Sequence, residues 1–205
     1  MEQRGVVLIG GGGHALVVAE ALGESAEVVG FFDDAPDAPL RARFGYERLG
    51  PLNAIPPEIE AYFMLAVGDL ALRRRLLAGP LGGARTFGIT HRTASVSASA
   101  GVGRGVFIAP HAVVHAFATV GDHAIINTGA IVEHECVLGE NVHVAPGAVL
   151  GGNVSVGRDT LVGLGSRVLP GVRIGVGCVI GAGAVVIRDV PDGATVVGVP
   201  GRMRI

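Results

Sequence analysis

The sequence predicts a small, Rossmann-like parallel α/β domain followed by an all-β parallel helix built from hexapeptides. Three observations carry this. Aliphatic residues recur at every sixth position over about half of the 205-residue chain. A small residue recurs four places after each of them. The first ninety or so residues lack that phase and show strand, glycine turn, helix and strand in succession.

The first strand is read at residues 6–9, an unbroken Val-Val-Leu-Ile run of the kind a buried parallel strand shows. Gly10-Gly11-Gly12-Gly13-His14 follows, then a helix over 15–22 with Gly23 as its stop. A second strand is read at 27–32 and closes on Asp33-Asp34-Ala35-Pro36. A third runs over 62–67. Asp69 then caps a helix over 70–78, which Gly79-Pro80 ends. Strands alternating with helices make a parallel sheet. This domain is placed at residues 1–80, with a connector at 81–95.

The repeat begins at Val96. In steps of six the chain reads Val96, Val102, Ile108, Val114 and onward to Val186, sixteen positions that are all Val, Ile or Leu. Those types fill only 33 of the 96 residues from 96 to 191, so the agreement is a chance event on the order of a few in ten million. The companion position, from Ala100 to Val190, holds only Ala, Val, Cys, Thr or Ser. One large and one small inward residue per hexapeptide fills a narrow prism, whereas a wide sandwich needs bulk at both. The hexapeptide β-helix is the repeat class that fits. It is placed at 96–191, with a tail at 192–205. No insertion breaks the period, so no long loop projects.

Composition narrows the function. Glycine is 34 of 205 residues, about 17% against a usual level of roughly 7%, but not at every third place, which excludes collagen. A hydrophobic content of 49% with net charge −2 excludes a charged disordered chain. All sixteen basic residues are Arg, and a sequence pI of about 6.4 speaks against a nucleic-acid partner. Mean hydropathy is +0.53, yet no apolar run approaches the ~18–20 residues of a spanning helix. Met1-Glu2-Gln3-Arg4 leads into a short apolar run with no cleavage pattern, so a cytoplasmic protein without membrane attachment is expected. Two cysteines, Cys136 and Cys178, make no disulfide framework and fall at small inward positions.

The candidate chemistry lies in the histidines and the glycine turn. Five of seven histidines fall between residues 111 and 143, none at an inward position. His111, His115 and His123 read as exposed polar residues. His134 stands between Glu133 and Glu135, and a carboxylate beside an imidazole fixes its orientation and tautomer. Eighteen residues on, one coil along, stands Gly152, which leaves room over the ring and a reachable N–H. A base beside an N–H donor is the minimal equipment for acyl transfer. Zinc is the competing use of clustered histidines. The successive gaps from His91 are 20, 4, 8, 11 and 9, without the pair five apart of the β-helix carbonic anhydrases, so no metal is expected. No Gly-x-Ser-x-Gly segment supports a serine hydrolase. Gly10-x-Gly12-x-x-Ala15 with Asp33 or Asp34 about twenty residues on has the form of a dinucleotide fingerprint. The domain is short for a full dinucleotide fold, which leaves a nucleotide-sugar diphosphate, a nicotinamide cofactor or a turn that binds nothing.

Taken together, these residues resemble the bacterial sugar acyltransferases that join an N-terminal α/β domain to a left-handed β-helix. That family includes the acetyltransferase of bacillosamine synthesis and the sialic acid O-acetyltransferase. The resemblance rests on Gly10-Gly11-Gly12-Gly13-His14, Phe31-Phe32-Asp33-Asp34, Ala66-Val67-Gly68-Asp69, Asn127-Thr128-Gly129-Ala130, Glu133-His134-Glu135-Cys136 and Val197-Gly198-Val199-Pro200-Gly201. It implies three hexapeptides per coil, hence about five coils, and homotrimers with sites between neighbouring prisms. It implies acetyl-CoA as co-substrate, His134 as general base and Glu135 raising its basicity, with Asn127 in the same pocket. By the same resemblance, His143 and Gly152 contact the thioester end of acetyl-CoA, and Leu164 and Ala182 its pantetheine or adenine parts. Gly12, Gly13 and His14 approach the nucleotide sugar, Asp33 and Asp34 the uracil, and Leu65 and Gly68 border that site. The family often carries Ala-Ser or Ala-Thr where this chain has Gly11-Gly12.

The activity implied is N-acetylation of a nucleotide-linked amino-dideoxy sugar, of the UDP-4-amino-sugar type. O-acetylation of a sugar such as sialic acid and a non-catalytic trimeric scaffold are the alternatives. The diphosphate-suited turn favours the first, and the His134-Glu135 pair disfavours the scaffold.

Overall fold

A computed structural model describes residues 5–23, 25–56 and 60–204. The chain divides into two compact units, Met1–Ile89 and Thr90–Ile205. The reading of residues 1–4 as no leader lies outside the described residues.

In the first unit, β1 (Gly5–Ile9), β2 (Glu27–Phe32), β3 (Arg48–Gly50) and β4 (Tyr62–Leu65) form one parallel sheet in the order β3-β2-β1-β4. Helices α1 (Gly13–Leu22), α2 (Pro39–Phe44) and α3 (Leu70–Ala78) and a 3₁₀ turn at Leu52–Ala54 complete it. Register decides where a ligand can sit. Ile9 lies level with both Phe32 and Leu65. The loops that follow these strands, carrying Gly10–Gly12, Asp33–Asp34 and Ala66–Gly68, therefore emerge side by side. This is the carboxyl edge of a parallel sheet, where such folds bind ligands. Helix α3 matches its expected span, and Asp69 Oδ1 accepts from Leu72 N at 2.7 Å as its cap. The third strand is shorter than read, ending at Leu65. Beyond it Ala66 N still donates to Ile9 O at 2.8 Å, but the Arg73 guanidinium takes the carbonyl of Val67 at 2.9 Å and the chain turns.

In the second unit, two-residue strands stack eighteen residues apart, as Thr119–Val120 on Val137–Leu138 and those on Ser155–Val156. They build three sheets of eight, six and five strands, the faces of a prism. The large and small repeat positions form one continuous core from Val106 to Val196. Two small positions are polar and fully buried. Thr160 Oγ1 donates to Gly175 O and Ser166 Oγ to Gly163 O, both at 2.8 Å, so neither hydroxyl is stranded.

The prism edges explain the glycine count. Every sixth residue from Gly105 to Gly183, fourteen in all, has positive φ near 60–75°. Seven are glycine. The others are His111, Phe117, His123, Glu135, Asn141, Asn153 and Asp159, which adopt a conformation costing about 1–2 kcal/mol in a side-chain-bearing residue. A second set, Gly103, Gly121, Gly139, Gly157 and Gly175, follows the strands of the five-stranded sheet. A Cβ there would sit 2.5–2.7 Å from backbone atoms of the next coil.

The boundary between the units differs from the one read from the repeat phase. Leu81 is buried with Val7, Phe63 and Leu76, and Phe87 N donates to Phe63 O at 2.7 Å, so this stretch completes the first unit. Coil stacking starts before Val96, with His91 N donating to Ile108 O at 2.8 Å. Residues 192–204 are likewise built in. Thr195–Val197 pairs with Val179–Ile180, and Arg202–Met203 folds back on it. Backbone ladders extend the helix at both ends, past the point where the side-chain period is visible.

Candidate functional site

The site residues fall into one group in the first unit and two in the second. In the first unit the four glycines divide by role. Gly10 has φ of 110°, and a Cβ on it would lie 2.8 Å from Ala66 O, while one on Gly11 would lie 2.6 Å from the Phe31 ring. These two are bare because the turn is packed against its own domain. Gly12 and Gly13 have nothing within 4 Å of the Cβ position, so their bareness leaves open space at the start of α1. Gly12 is the N-cap, and no side chain caps the helix. Such an end attracts an anion through its unpaired N–H groups. A cavity of about 300 Å³ opens here, lined among others by Gly12, Gly13, His14, Asp33, Asp34 and Gly68. Leu65 is not on its wall. It is 1% exposed, at the strand end beneath.

The two acids have unequal tasks. Asp33 Oδ2 accepts from Gly11 N at 2.6 Å and Oδ1 from Ala35 N at 2.8 Å, so its carboxylate fastens the glycine turn to the loop after β2. Asp34 Oδ1 accepts from Leu52 N at 2.9 Å, and its other oxygen has no partner among the described residues. Arg73, absent from the sequence reading, is fully buried and donates to Leu65 O and Val67 O, which fixes the loop bordering the cavity. Burial lowers its pKa to about 10. Its position in an apolar helix of three consecutive arginines gave no signal of this.

In the second unit, His134, Glu135 and Gly152 meet at the edge between the six- and five-stranded sheets. His134 Nδ1 lies 3.1 Å from Glu135 Oε2. Sequence neighbours on a strand point to opposite faces, but Glu135 has φ of 59°, and this turn swings its side chain to that of His134. One coil along, a Cβ on Gly152 would lie 2.5 Å from His134 Nε2. The imidazole occupies the space that only a glycine leaves. Gly152 N–H donates to no backbone carbonyl among the described residues, whereas Gly151 N–H is held by Val168 O. His115 Nε2 and Glu133 Oε1, one coil apart, approach to 3.8 Å beside this edge. With Nδ1 held by a carboxylate and Nε2 next to an available N–H, the arrangement can take a proton at one atom and receive an oxyanion near it.

Asn127 and His143 form a separate pair on the eight-stranded sheet, with Asn127 Nδ2 3.1 Å from His143 Nε2. Asn127 Oδ1 accepts from Thr128 N at 2.8 Å. Leu164, 60% exposed, and exposed Ala182 stack one coil apart at the edge that follows that sheet. A single prism thus brings His134, Glu135 and Gly152 together and sets Leu164 and Ala182 on a different edge.

The cysteines are core residues. Cys136 Sγ donates to Gly151 O at 3.2 Å and Cys178 Sγ to Pro191 O at 3.1 Å. Burial pushes the Cys136 thiol up, which keeps it protonated and poorly nucleophilic. Among the described residues no three His, Cys, Asp or Glu side chains gather as metal ligands, and no helix is long and apolar enough to cross a membrane.

Residues 5–78 match the PglD N-terminal domain, and residues 117–152 match the bacterial transferase hexapeptide of six repeats. No curated protein sequence matches the chain. Among solved structures, perosamine N-acetyltransferase from Caulobacter crescentus, in complex with CoA and GDP-perosamine, is 38% identical with a TM-score of 0.87. The match covers 98% of this chain and 96% of that one. The acetyltransferase domain of PglB from Neisseria gonorrhoeae, in complex with acetyl coenzyme A, is 36% identical over 98% and 100% of the chains, TM-score 0.87. The chain belongs to this family of hexapeptide-repeat sugar acetyltransferases. WeeI from Acinetobacter baumannii shares the fold at 25% identity, TM-score 0.85, with 98% and 100% of the chains covered. Membership makes the chain an acetyltransferase that uses acetyl-CoA, with the α/β domain and left-handed β-helix that its residues imply.

Proposed function

We propose that the chain transfers acetyl from acetyl-CoA to the amine of a nucleotide-linked amino sugar in the cytoplasm, with His134 as general base. The observation that carries this is the His134–Glu135–Gly152 cluster: a base with one ring nitrogen held by a carboxylate and the other over an uncommitted backbone N–H. The likeness to acetyltransferases bound to CoA and GDP-perosamine supports both substrates.

The amine nitrogen attacks the thioester carbonyl, and His134 Nε2 takes its proton. The developing oxyanion is met by Gly152 N–H. Glu135 stabilises the imidazolium that forms and keeps Nε2 directed at the acceptor. Collapse breaks the C–S bond, and the proton held by His134 passes to the departing CoA sulfur. The amide and free CoA balance the atoms, and no acyl-enzyme is involved. The glycine turn of the first unit takes the diphosphate at the start of α1. His143, Leu164 and Ala182 line the path of acetyl-CoA, and Asn127, held against His143, stands on the acceptor side of the same site.

Leu164 and Ala182 stand on another edge from His134, so a complete site calls for a second prism. We infer a homotrimer that joins one edge of a chain to a different edge of its neighbour. The outward half-buried run Val113, Ile131 and Val149 on the six-stranded sheet, followed by Arg167 and then Val185, supports this.

The test is thiol release from acetyl-CoA with a panel of nucleotide-linked 4-amino sugars, the product checked by mass. Turnover with one such amine is expected, and His134→Ala should lower kcat on the order of 10²–10⁴-fold. Release only with sialic acid or another hydroxyl acceptor would establish the O-acetyltransferase instead. Unchanged kcat in the variant would remove His134 from the chemistry.

A further inference from the structure

Two histidines of the second unit, His134 and His143, have partners of opposite kind. His134 Nδ1 faces a carboxylate oxygen of Glu135 at 3.1 Å, which can only accept. His143 Nε2 faces the amide of Asn127 at 3.1 Å. Coil register builds this second contact, since stacking sets His143 level with Ile125, two places before Asn127.

What the Asn127 amide offers follows from its other end. Thr128 N lies 2.8 Å from Asn127 Oδ1, with Thr128 Oγ1 at 3.5 Å. A backbone N–H can only donate, so the amide atom beside it is the oxygen, and the atom beside His143 is the NH₂ group. That group donates and cannot accept. His143 Nε2 therefore receives its hydrogen in a lone pair and carries no proton of its own. The backbone beneath is fixed too, because Asn127 N donates to Val144 O and Asn127 O accepts from Ala130 N, both at 2.9 Å.

Resting on the acetyl-transfer reading above, we propose that His143 is a neutral positioning residue that acts through Asn127. Locked with its proton on Nδ1, it holds the Asn127 amide in place on the acceptor side of the site and takes no proton from the reaction. In His134 the carboxylate accepts from Nδ1–H, leaves Nε2 bare and supports the positive charge that a second proton brings. In His143 a donor fills Nε2, and Nδ1 is buried. Neither nitrogen can meet the amine, and an uncharged amide gives an imidazolium no support. Both rings carry their first proton at the same atom, and the partner alone decides which of them is a base. The Asn127 NH₂ group gives one hydrogen to the ring and keeps the other for the substrate.

Nitrogen-15 NMR of the full chain labelled at histidine reads the tautomer without any substrate, the His143 signals being those that vanish in His143→Gln. Near neutral pH, Nδ1 should be the N–H nitrogen and Nε2 the bare one. Asn127→Asp keeps the shape but puts an acceptor where the NH₂ group stood, and should move the proton to Nε2. Kinetics then separate positioning from proton transfer. His143→Gln and His143→Leu both remove the imidazole, but a glutamine oxygen can still accept from Asn127. With both substrates saturating, kcat of the Gln variant should exceed that of the Leu variant at least roughly tenfold, the order expected when a half-buried donor loses its acceptor. Melting curves check that both variants fold. Equal losses in the two overturn positioning through Asn127. A proton on Nε2 in the parent, or a tautomer unmoved by Asn127→Asp, overturns the lock. Failure of the parent to turn over any amine removes the nucleotide-sugar reading instead, and the spectra, which need no acceptor, then decide the lock.

Discussion

Replacing Gly152 by Ala adds one methyl group at the point where the structure has least room for it. The Cβ would stand 2.5 Å from His134 Nε2 and 2.6 Å from its Cε1. Ordinary contact begins near 3.4 Å, so the ring must withdraw by about 1 Å, a misplacement that costs roughly 10²-fold in rate when it moves a reacting group. The ring can withdraw because its side chain is 59% exposed and tied only to Glu135. The fold should therefore tolerate the change. Gly152 has no positive φ, so Ala is compatible with the backbone and restricts the unfolded chain, worth about +0.4–1 kcal/mol. The expected outcome is kcat lowered about 100-fold with Tm unchanged or slightly raised. KM for acetyl-CoA should change little, because Gly152 N–H remains. Thiol-release kinetics and a thermal melt read both quantities. A double variant with His134→Ala should be no slower than His134→Ala alone, since both changes remove the same base. A kcat within threefold of the parent, or additive losses in the double variant, would show that His134 and Gly152 do not act as one unit.

Glu135→Gly should separate stability from activity in opposite directions. It relieves a positive φ, worth about 0.5–1 kcal/mol after the entropy of glycine is counted, yet removes the carboxylate held to His134, so Tm should rise while kcat falls at least about tenfold. Phe117→Gly tests the backbone effect away from the site. The side chain is 71% exposed at φ of 60°, so little burial is lost, and Tm should rise by about 2–4 °C for a gain near 1 kcal/mol. A fall in Tm would show that the ring is buried elsewhere, as in an assembly. The acid limb of stability should depend on Asp122 and Asp189. Burial works to raise the Asp122 carboxyl, but hydrogen bonds and charge from Arg104 more than offset it, and the bonds from Arg173 lower Asp189. Carboxyls held below their unfolded values stabilise above the unfolded pKa and lose that contribution as pH falls through the folded one. Asp122→Asn should accordingly melt below the parent at pH 7, by no more than the ~1 kcal/mol of an exposed pair, and the two should converge as pH falls below about 4, the variant's stability varying less with pH.

How far the sequence could be read depended on the range of the forces involved. Helix α3 and strand β2 were legible residue by residue because their limits are local, such as Asp69 bonded to Leu72 three residues on. Helix α1 begins at Gly13, two residues before the expected start, since glycines conceal a helix that packing permits. Helix α2, strand β3 and the 3₁₀ turn at Leu52–Ala54 were missed. Their bonds reach across the chain: Leu40 N to Gly11 O, Phe31 N to Glu47 O, Leu52 N to Asp34 Oδ1. Nothing nearby announces such contacts. In the β-helix, arithmetic replaces folding. With the three hexapeptides per coil that the family resemblance implies, Gly152 falls over His134 by counting eighteen residues along the sequence. Seven of the fourteen positive-φ corners were invisible for the converse reason: the coil imposes the angle on whatever residue stands there.

That imposed angle has a wider consequence. Each corner is a socket whose backbone path is set by the coil above and below, with occupants as unlike as glycine, phenylalanine and glutamate. A side chain exchanged at one socket leaves the others where they were. Chemical groups on this prism can therefore shift only in fixed increments, one coil along the axis, about 4.8 Å, or one face around it. Positions on such a molecule behave like addresses on a lattice, and a new activity can arise by occupying a vacant address without redrawing the map.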